Sequence, residues 1–247
     1  MTAPRTPRDT PFPVVLLLPN LVTILGLCFG LTSIRFTFAE QYTWAAGFLV
    51  LAALVDGMDG LLARRLNASS PFGAELDSLS DFVCFGVSPA LLVYNFGLEG
   101  LSGMGWVAAL TFAICCCLRL ARFNVNAKAE TNSKGSFTGV PAPAGAMLGI
   151  FPVTLHFAGF VDLRDAPIVI AAWMIFVGGL MVARFTTISL KSVRISRENA
   201  VYVLIAATVA IGFMLTRLWL FHVLMSVAYL CMLLQGVVAQ RRRRRAG

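Results

Sequence analysis

Charged side chains are scarce in this 247-residue chain: Asp, Glu, Lys and Arg together make up 13% of it, about half the share carried by soluble globular domains. That shortage, with 58% hydrophobic residues and a mean hydropathy of +0.80, excludes an ordinary soluble domain and leaves a polytopic membrane protein. Histidine is scarcer still, with two residues, His156 and His222, set far apart in apolar sequence. The six cysteines, Cys28, Cys84, Cys115, Cys116, Cys117 and Cys231, also fall inside apolar stretches. Both residue types therefore read as packing groups, which excludes a disulfide framework and a His/Cys metal centre. Acids are the rarer charge, 12 against 20 bases, so a cluster of them needs a reason.

Cutting the chain at its charges leaves eight uncharged stretches: Thr10–Ile34, Gln41–Val55, Phe82–Leu98, Gly100–Leu118, Gly135–Val161, Ala166–Ala183, Asn199–Thr216 and Leu218–Gln240. A bilayer crossing takes roughly 17 to 25 mostly apolar residues, so the expected architecture is all-α, a membrane bundle of about eight helices. The second stretch is too short alone and has to continue through Asp56 and Asp59 to about Arg65; the third begins near Gly73 or Glu75, before Asp77 and Asp81. Seventeen of the 20 Lys and Arg fall at alternate ends of these runs, which predicts an even number of spans with both termini in the cytoplasm. The first run is longer than a signal-peptide core and no small-residue cleavage site follows it, so it is expected to stay as a span.

The expected organisation is one integral membrane domain over residues 1–247. It has a core at 14–190, two further helices at 198–240 and a basic tail at 241–247. Polar loops are expected at Ala127–Gly139 and Phe185–Glu198. The tail, Arg241 to Arg245, suits anionic lipid headgroups and the bilayer surface; nucleic acid is not an expected partner.

The chemistry concentrates between residues 56 and 81. Asp56 and Asp59 lie three residues apart, Asp77 and Asp81 four apart, so each pair shares a helix face. The link Arg65–Phe72 is short enough to bring the two faces together. Each aspartate at the centre of a membrane helix costs about 2.5–3.5 kcal/mol, and one arginine cannot neutralise four of them. Divalent cations can, and all-oxygen ligands favour Mg²⁺ or Mn²⁺, two ions being the arrangement used to clamp attacking and leaving oxygens in phosphoryl displacement. Gly57 and Gly60 leave room beside the acids, and Arg64 supplies a fork of donors for phosphate oxygens. A divalent-cation transporter is the rival of another class, disfavoured because the acids cluster at one membrane face rather than at the midplane.

The pattern D-x2-D-G-x2-A-R-x8-G-x3-D-x3-D, present here as Asp56, Asp59, Gly60, Ala63, Arg64, Gly73, Asp77 and Asp81, resembles the signature of the CDP-alcohol phosphotransferases at every specified position. The resemblance implies a six-span membrane core, often with extra helices, and displacement of CMP from a CDP-linked molecule by an alcohol. It further implies that Asp56, Asp59, Asp77 and Asp81 hold the metals, with Asp81 also the general base. Gly60 and Arg64 would contact the CDP moiety, with Asn20 and Thr23 of a P-N-x2-T element and Ser70 and Gly73 beside the nucleotide. A homodimer is a further implication. An aspartate beside a cation is a weak base, so activation of the hydroxyl by the metal stays open.

Three segments bear on the acceptor. Residues 72–90, Arg119-Leu120-Ala121-Arg122-Phe123-Asn124 and Phe137-Thr138-Gly139-Val140-Pro141-Ala142-Pro143 are similar to the bacterial membrane-type phosphatidylserine synthases within that family. Ser80 and Ser88 depart from the commoner Ala. This implies CDP-diacylglycerol and L-serine as substrates, a site at the cytoplasmic face of the inner membrane, and Arg119, Arg122 and Asn124 near the acceptor, where an arginine can grip a carboxylate or diphosphate bidentately. Glycerol 3-phosphate, inositol phosphate and choline remain alternative acceptors.

Overall fold

The computed structural model describes residues 17–66, 70–129, 139–183 and 200–246, with the side chains of Asp59, Ala63, Arg64, residues 127–129, Ala200 and residues 237–246 left aside. The loop expected at Phe185–Glu198, the N-terminal arginines and most of the loop at 127–139 lie outside the described residues. Everything described in secondary structure is helical: α1 Leu18–Phe38, α2 Tyr42–Leu66, α3 Pro71–Asp81, α4 Ser88–Val93, α5 Gly103–Ala129, α6 Ala142–Gly149, α7 Phe151–Phe157, α8 Pro167–Val182, α9 Ala200–Thr216 and α10 Leu218–Ala246. Among the described residues, five helices are long and apolar enough to cross a membrane: Leu18–Phe38, Tyr42–Leu62, Pro71–Leu101, Gly103–Asn126 and Leu218–Gly236. Pro167–Val182 and Val201–Thr216 are shorter apolar helices.

α2 runs through Asp56 and Asp59 without a break, as the brevity of its uncharged run requires. α3 starts a little earlier than expected, at Pro71, because Ser70 caps it: the Ser70 hydroxyl accepts from the Gly73 amide at 2.9 Å and Pro71 occupies the first turn, where no amide partner is needed. Beyond Asp81 the same rod changes pitch twice, with π-helical stretches at Phe82–Val87 and Tyr94–Leu98 on either side of α4.

One expected helix is two. The run Gly135–Val161 forms α6 and α7, broken between Gly149 and Phe151. Pro152 lacks an amide hydrogen and its ring crowds the preceding turn, and the helix breaks there at Ile150. Hydropathy does not register that constraint, since proline and glycine sit in an otherwise apolar run.

The core is a dry cluster that includes Leu49, Phe85, Leu92, Phe112, Leu148, Ile170, Met174 and Met181, all essentially inaccessible. Polar stitches cross it: the Ser33 hydroxyl of α1 donates to the Ala45 carbonyl of α2 at 2.8 Å, and the Trp173 indole of α8 donates to the Leu148 carbonyl of α6 at 2.7 Å. Cys84 and Cys116 are buried in it as packing groups, and all six cysteines are free thiols.

α10 docks on the broken helix through His222, Val223, Ser226 and Leu233, which are buried along one of its faces. The Thr154 hydroxyl donates to the Phe151 carbonyl at 3.0 Å, so the contact of 3.1 Å between His222 Nδ1 and Thr154 Oγ1 has the imidazole as donor. His156 packs edge-on against Phe96 and Phe157, as expected of a packing group, and also meets Asp162 at 3.2 Å in the α7–α8 turn, where Arg164 engages Asp162 too. α9 leans on α10 and leaves most of its surface open.

Candidate functional site

α2 ends at Leu66 and α3 begins at Pro71, with the end of one helix beside the start of the next. Asp56 of α2 meets Asp77 and Asp81 of α3, with ligand oxygens of all three within 4.8 Å of one another. At that separation ionised carboxylates repel one another, and a cation between them relieves the repulsion. The three are half-buried. They line a cleft with Thr23 and Gly26 of α1, Ala52 of α2, and Ser80, Cys84 and Phe85. Its free volume is about 10 Å³, room for one water-sized occupant. The small side chains at Gly26 and Ala52 let α1 and α2 close around the acids.

α3 is held in place along its α1 side. The Ser80 hydroxyl donates to the Thr23 carbonyl at 3.3 Å and the Cys84 thiol to the Gly26 carbonyl at 3.4 Å. Thr23 itself is buried, with its hydroxyl donating back to the Pro19 carbonyl at 3.1 Å. Asn20 sits against Gly73: a Cβ at position 73 would stand 2.8 Å from Asn20 Oδ1 and 3.1 Å from the Ser70 hydroxyl. Glycine there is a requirement of close approach.

The structure thus brings together Asp56, Asp77, Asp81 and Thr23, and groups Asn20, Ser70 and Gly73 one helical turn away. The hydroxyl of Ser70 serves as a helix cap. Gly60 lies on an open stretch of α2, with nothing within 4 Å of where its Cβ would be. The side chains of Asp59 and Arg64 lie outside the described residues.

The expected acceptor residues divide. Arg119 is buried; its Nε donates to the Val140 carbonyl at 2.9 Å and its guanidinium lies over the Phe123 ring at 5.5 Å. It is within electrostatic reach of Asp81 and of Tyr229 on α10. Arg122 donates from Nη1 to the Val182 carbonyl at 2.8 Å. The two arginines therefore anchor α5 to the chain entering α6 and leaving α8. Gly139 makes that approach possible, with φ +82° and a Cβ position 2.8 Å from the Ala183 carbonyl oxygen. Asn124 is turned elsewhere, toward Ser78 of α3. Sequence reasoning passed over Ser78, Cys84 and Gly26; Ser78 stands one residue after Asp77, and spacing alone gives it no signal.

The donor set suits a hard divalent cation. Three carboxylates supply oxygen alone, in a geometry that two helices enforce, and their mutual repulsion is relieved by positive charge between them.

Comparison with known proteins gives the same picture. The family model for CDP-alcohol phosphatidyltransferase matches residues 16–183. The chain is 36% identical over 222 residues to a CDP-diacylglycerol–serine O-phosphatidyltransferase of Mycobacterium leprae, covering 87% of this chain and 72% of that protein. It is 43% identical over 146 residues to a protein of the same name from Mycobacterium tuberculosis, covering 57% of this chain and 51% of that one, about half its length. A Helicobacter pylori protein, also so named, is 32% identical over 189 residues, covering 76% and 79%. With two thirds of its length inside the family model and its carboxylates gathered as that signature requires, the chain belongs to the CDP-alcohol phosphatidyltransferase family.

Proposed function

We propose that this protein transfers the phosphatidyl group of CDP-diacylglycerol to the hydroxyl of L-serine, giving phosphatidylserine and CMP. The observation that carries the reading is the convergence of Asp56, Asp77 and Asp81 within 4.8 Å in a chain whose relatives bear that activity in their names. Around that centre we place eight membrane crossings, with α6 and α7 together making one. Residues 14–190 form the core, α9 and α10 are an appended pair, and residues 241–247 are a basic tail against anionic lipid. The distribution of Lys and Arg supports cytoplasmic termini, an inner-membrane location and a site opening to the cytoplasm, where serine and CMP are soluble. A homodimer is part of the same reading.

Asp56, Asp59, Asp77 and Asp81 would hold Mg²⁺ or Mn²⁺, two ions in the full site. Bound there, the metal supplies positive charge to the diphosphate as the leaving oxygen takes up its electron pair. The protein does the rest. Asn20, Gly60, Arg64, Ser70 and Gly73 cradle the cytidine diphosphate end, the two glycines by leaving backbone within reach. Arg119 and Arg122 face the serine carboxylate, held in place by the Val140 and Val182 carbonyls, and Asn124 braces the same end of α5. Asp81 takes the proton from the serine hydroxyl as its oxygen bonds to the lipid phosphorus and the bond to CMP breaks. Half-burial of the carboxylates keeps bulk water from competing as the nucleophile.

The test is CMP release by detergent-purified protein given CDP-diacylglycerol and Mg²⁺ or Mn²⁺, with L-serine, glycerol 3-phosphate, inositol phosphate or choline supplied singly. Serine-dependent release that disappears in Asp81→Asn is expected. Release with another acceptor overturns the choice of serine, and metal flux into proteoliposomes without CDP-lipid overturns the transferase reading.

A further inference from the structure

α3 carries two of the three gathered carboxylates, and its roll about its own axis sets where they point. On one side it is stitched to α1 through Ser80, and Cys84 of the following π-helical stretch makes a second contact with α1. Ser78, two residues before Ser80 and therefore about 160° around the helix, faces the other way. Its hydroxyl oxygen lies 3.0 Å from the Ala74 carbonyl, 2.9 Å from Asn124 Nδ2 and 3.1 Å from Asn124 Oδ1. A serine has one hydroxyl hydrogen. Whether that hydrogen goes to the Ala74 carbonyl or to Asn124 Oδ1, the oxygen accepts from Asn124 Nδ2, so the Ser78–Asn124 bond stands in either case.

Asn124 is itself on a fixed support. It lies on α5 two residues after Arg122, whose guanidinium is bonded to the Val182 carbonyl, and five after Arg119, bonded to the Val140 carbonyl. The Ser78–Asn124 contact is thus a cross-brace from an anchored helix to the far side of the helix bearing Asp77 and Asp81. Its lever arm matters. A carboxylate oxygen stands roughly 5 Å from the helix axis, so a 10° roll displaces it by roughly 0.9 Å. Metal–ligand distances tolerate about 0.2 Å.

We propose that Ser78 and Asn124 are a positioning pair for the divalent-cation site, fixing the roll of α3 so that Asp77 and Asp81 meet Asp56 at coordinating distance. The inference rests on reading the three carboxylates as a cation site, and it assigns to Ser78, inside the D-x3-D segment, a role through Asn124.

The experiment measures Mn²⁺ binding to purified protein by electron paramagnetic resonance, without substrate, alongside the melting temperature of the metal-free protein. Ser78→Ala and Asn124→Ala are each expected to weaken Mn²⁺ binding by about tenfold, the lower range for groups that orient ligands. The double variant is expected to be no weaker than the poorer single one, because one contact is lost in all three. Ser78→Thr keeps the hydroxyl and is expected to bind within about twofold of the native protein. Should Asn124→Ala fail to fold, Ser78→Ala removes one oxygen atom and carries the test alone. Unchanged Mn²⁺ affinity in the single variants, losses that add in the double, or a fall in melting temperature without a fall in affinity overturns the positioning role. Asp77→Asn is the control: Mn²⁺ binding by the native protein that this variant retains overturns the cation-site reading itself.

Discussion

Removing one carboxylate from the cleft should make the metal-free protein more stable, and the size of the gain can be worked out. Asp56, Asp77 and Asp81 place their oxygens within 4.8 Å of one another. At an effective dielectric constant of about 20, two unit charges at that distance repel by about 3.5 kcal/mol. Full ionisation of all three costs about 10 kcal/mol, of which Asp56 takes part in two pairs, about 7. The cost of keeping Asp56 is capped at about 4 kcal/mol, the cost of protonating one aspartate of ordinary acidity at pH 7. Asp56→Asn removes this cost, and with about 2–4 °C per kcal/mol for a chain of this length its metal-free melting temperature should rise by about 8 °C or more. The gain should shrink to about 1.5 kcal/mol at pH 5, where the proton is easier to acquire. Saturating Mn²⁺ should reverse the order, since the native protein gains the ion's binding energy and the variant loses most of it. The assay is thermal unfolding in detergent with EDTA or Mn²⁺, at pH 7 and pH 5. A metal-free variant that melts at or below the native protein at pH 7, or an equal Mn²⁺ response in both, refutes the repulsion argument.

Gly73→Ala sets helix preference against the site: alanine favours α3 by about 1 kcal/mol, while its Cβ would stand 2.8 Å from Asn20 Oδ1. Melting temperature should hold or rise while CMP release falls about tenfold or more; full activity would show that the crowding is harmless. Thr154→Val strands the buried His222 donor and should cost about 1–3 kcal/mol, read as a lower melting temperature with unchanged turnover by the folded fraction. No change in melting temperature would mean that α10 docks without this bond. Asp162 is held down to about 2 by hydrogen bonds from Arg164. Its contribution is therefore present above the ordinary carboxylate value near 3.9 and lost as pH falls toward 2. Asp162→Asn should flatten the acid limb of the stability curve in that window and leave neutral-pH activity alone; an unaltered acid limb would remove Asp162 from the account.

The carboxylate cluster was legible because helical spacing and a short connection act locally: Asp77 and Asp81 share a face by arithmetic, and the few residues between α2 and α3 leave little choice of partner for Asp56. The course of α2 through its acids followed from length alone. What stayed hidden depends on long-range contacts. Asn124 meets Ser78 across 46 residues, and Arg119 and Arg122 spend donors on the Val140 and Val182 carbonyls. Neither choice leaves a periodic trace. The division of α6 from α7 was written in Gly149 and Pro152 but overridden by an apolarity count that gives backbone donors no weight. The packing role of His156 shows in its apolar surroundings, while its contact with Asp162 forms across a turn and leaves no such signal.

The π-helical stretch at Phe82–Val87 begins on the residue after Asp81. A wider turn of this kind absorbs one extra residue and shifts the angular phase of everything that follows. The rod from Pro71 to Leu101 therefore has two independently set halves. A one-residue deletion in the stretch can be taken up by its return to α-helical pitch, leaving Ser70 to Asp81 in place. The half of the rod that packs against neighbouring helices can thus change phase without turning the half that carries Asp77 and Asp81.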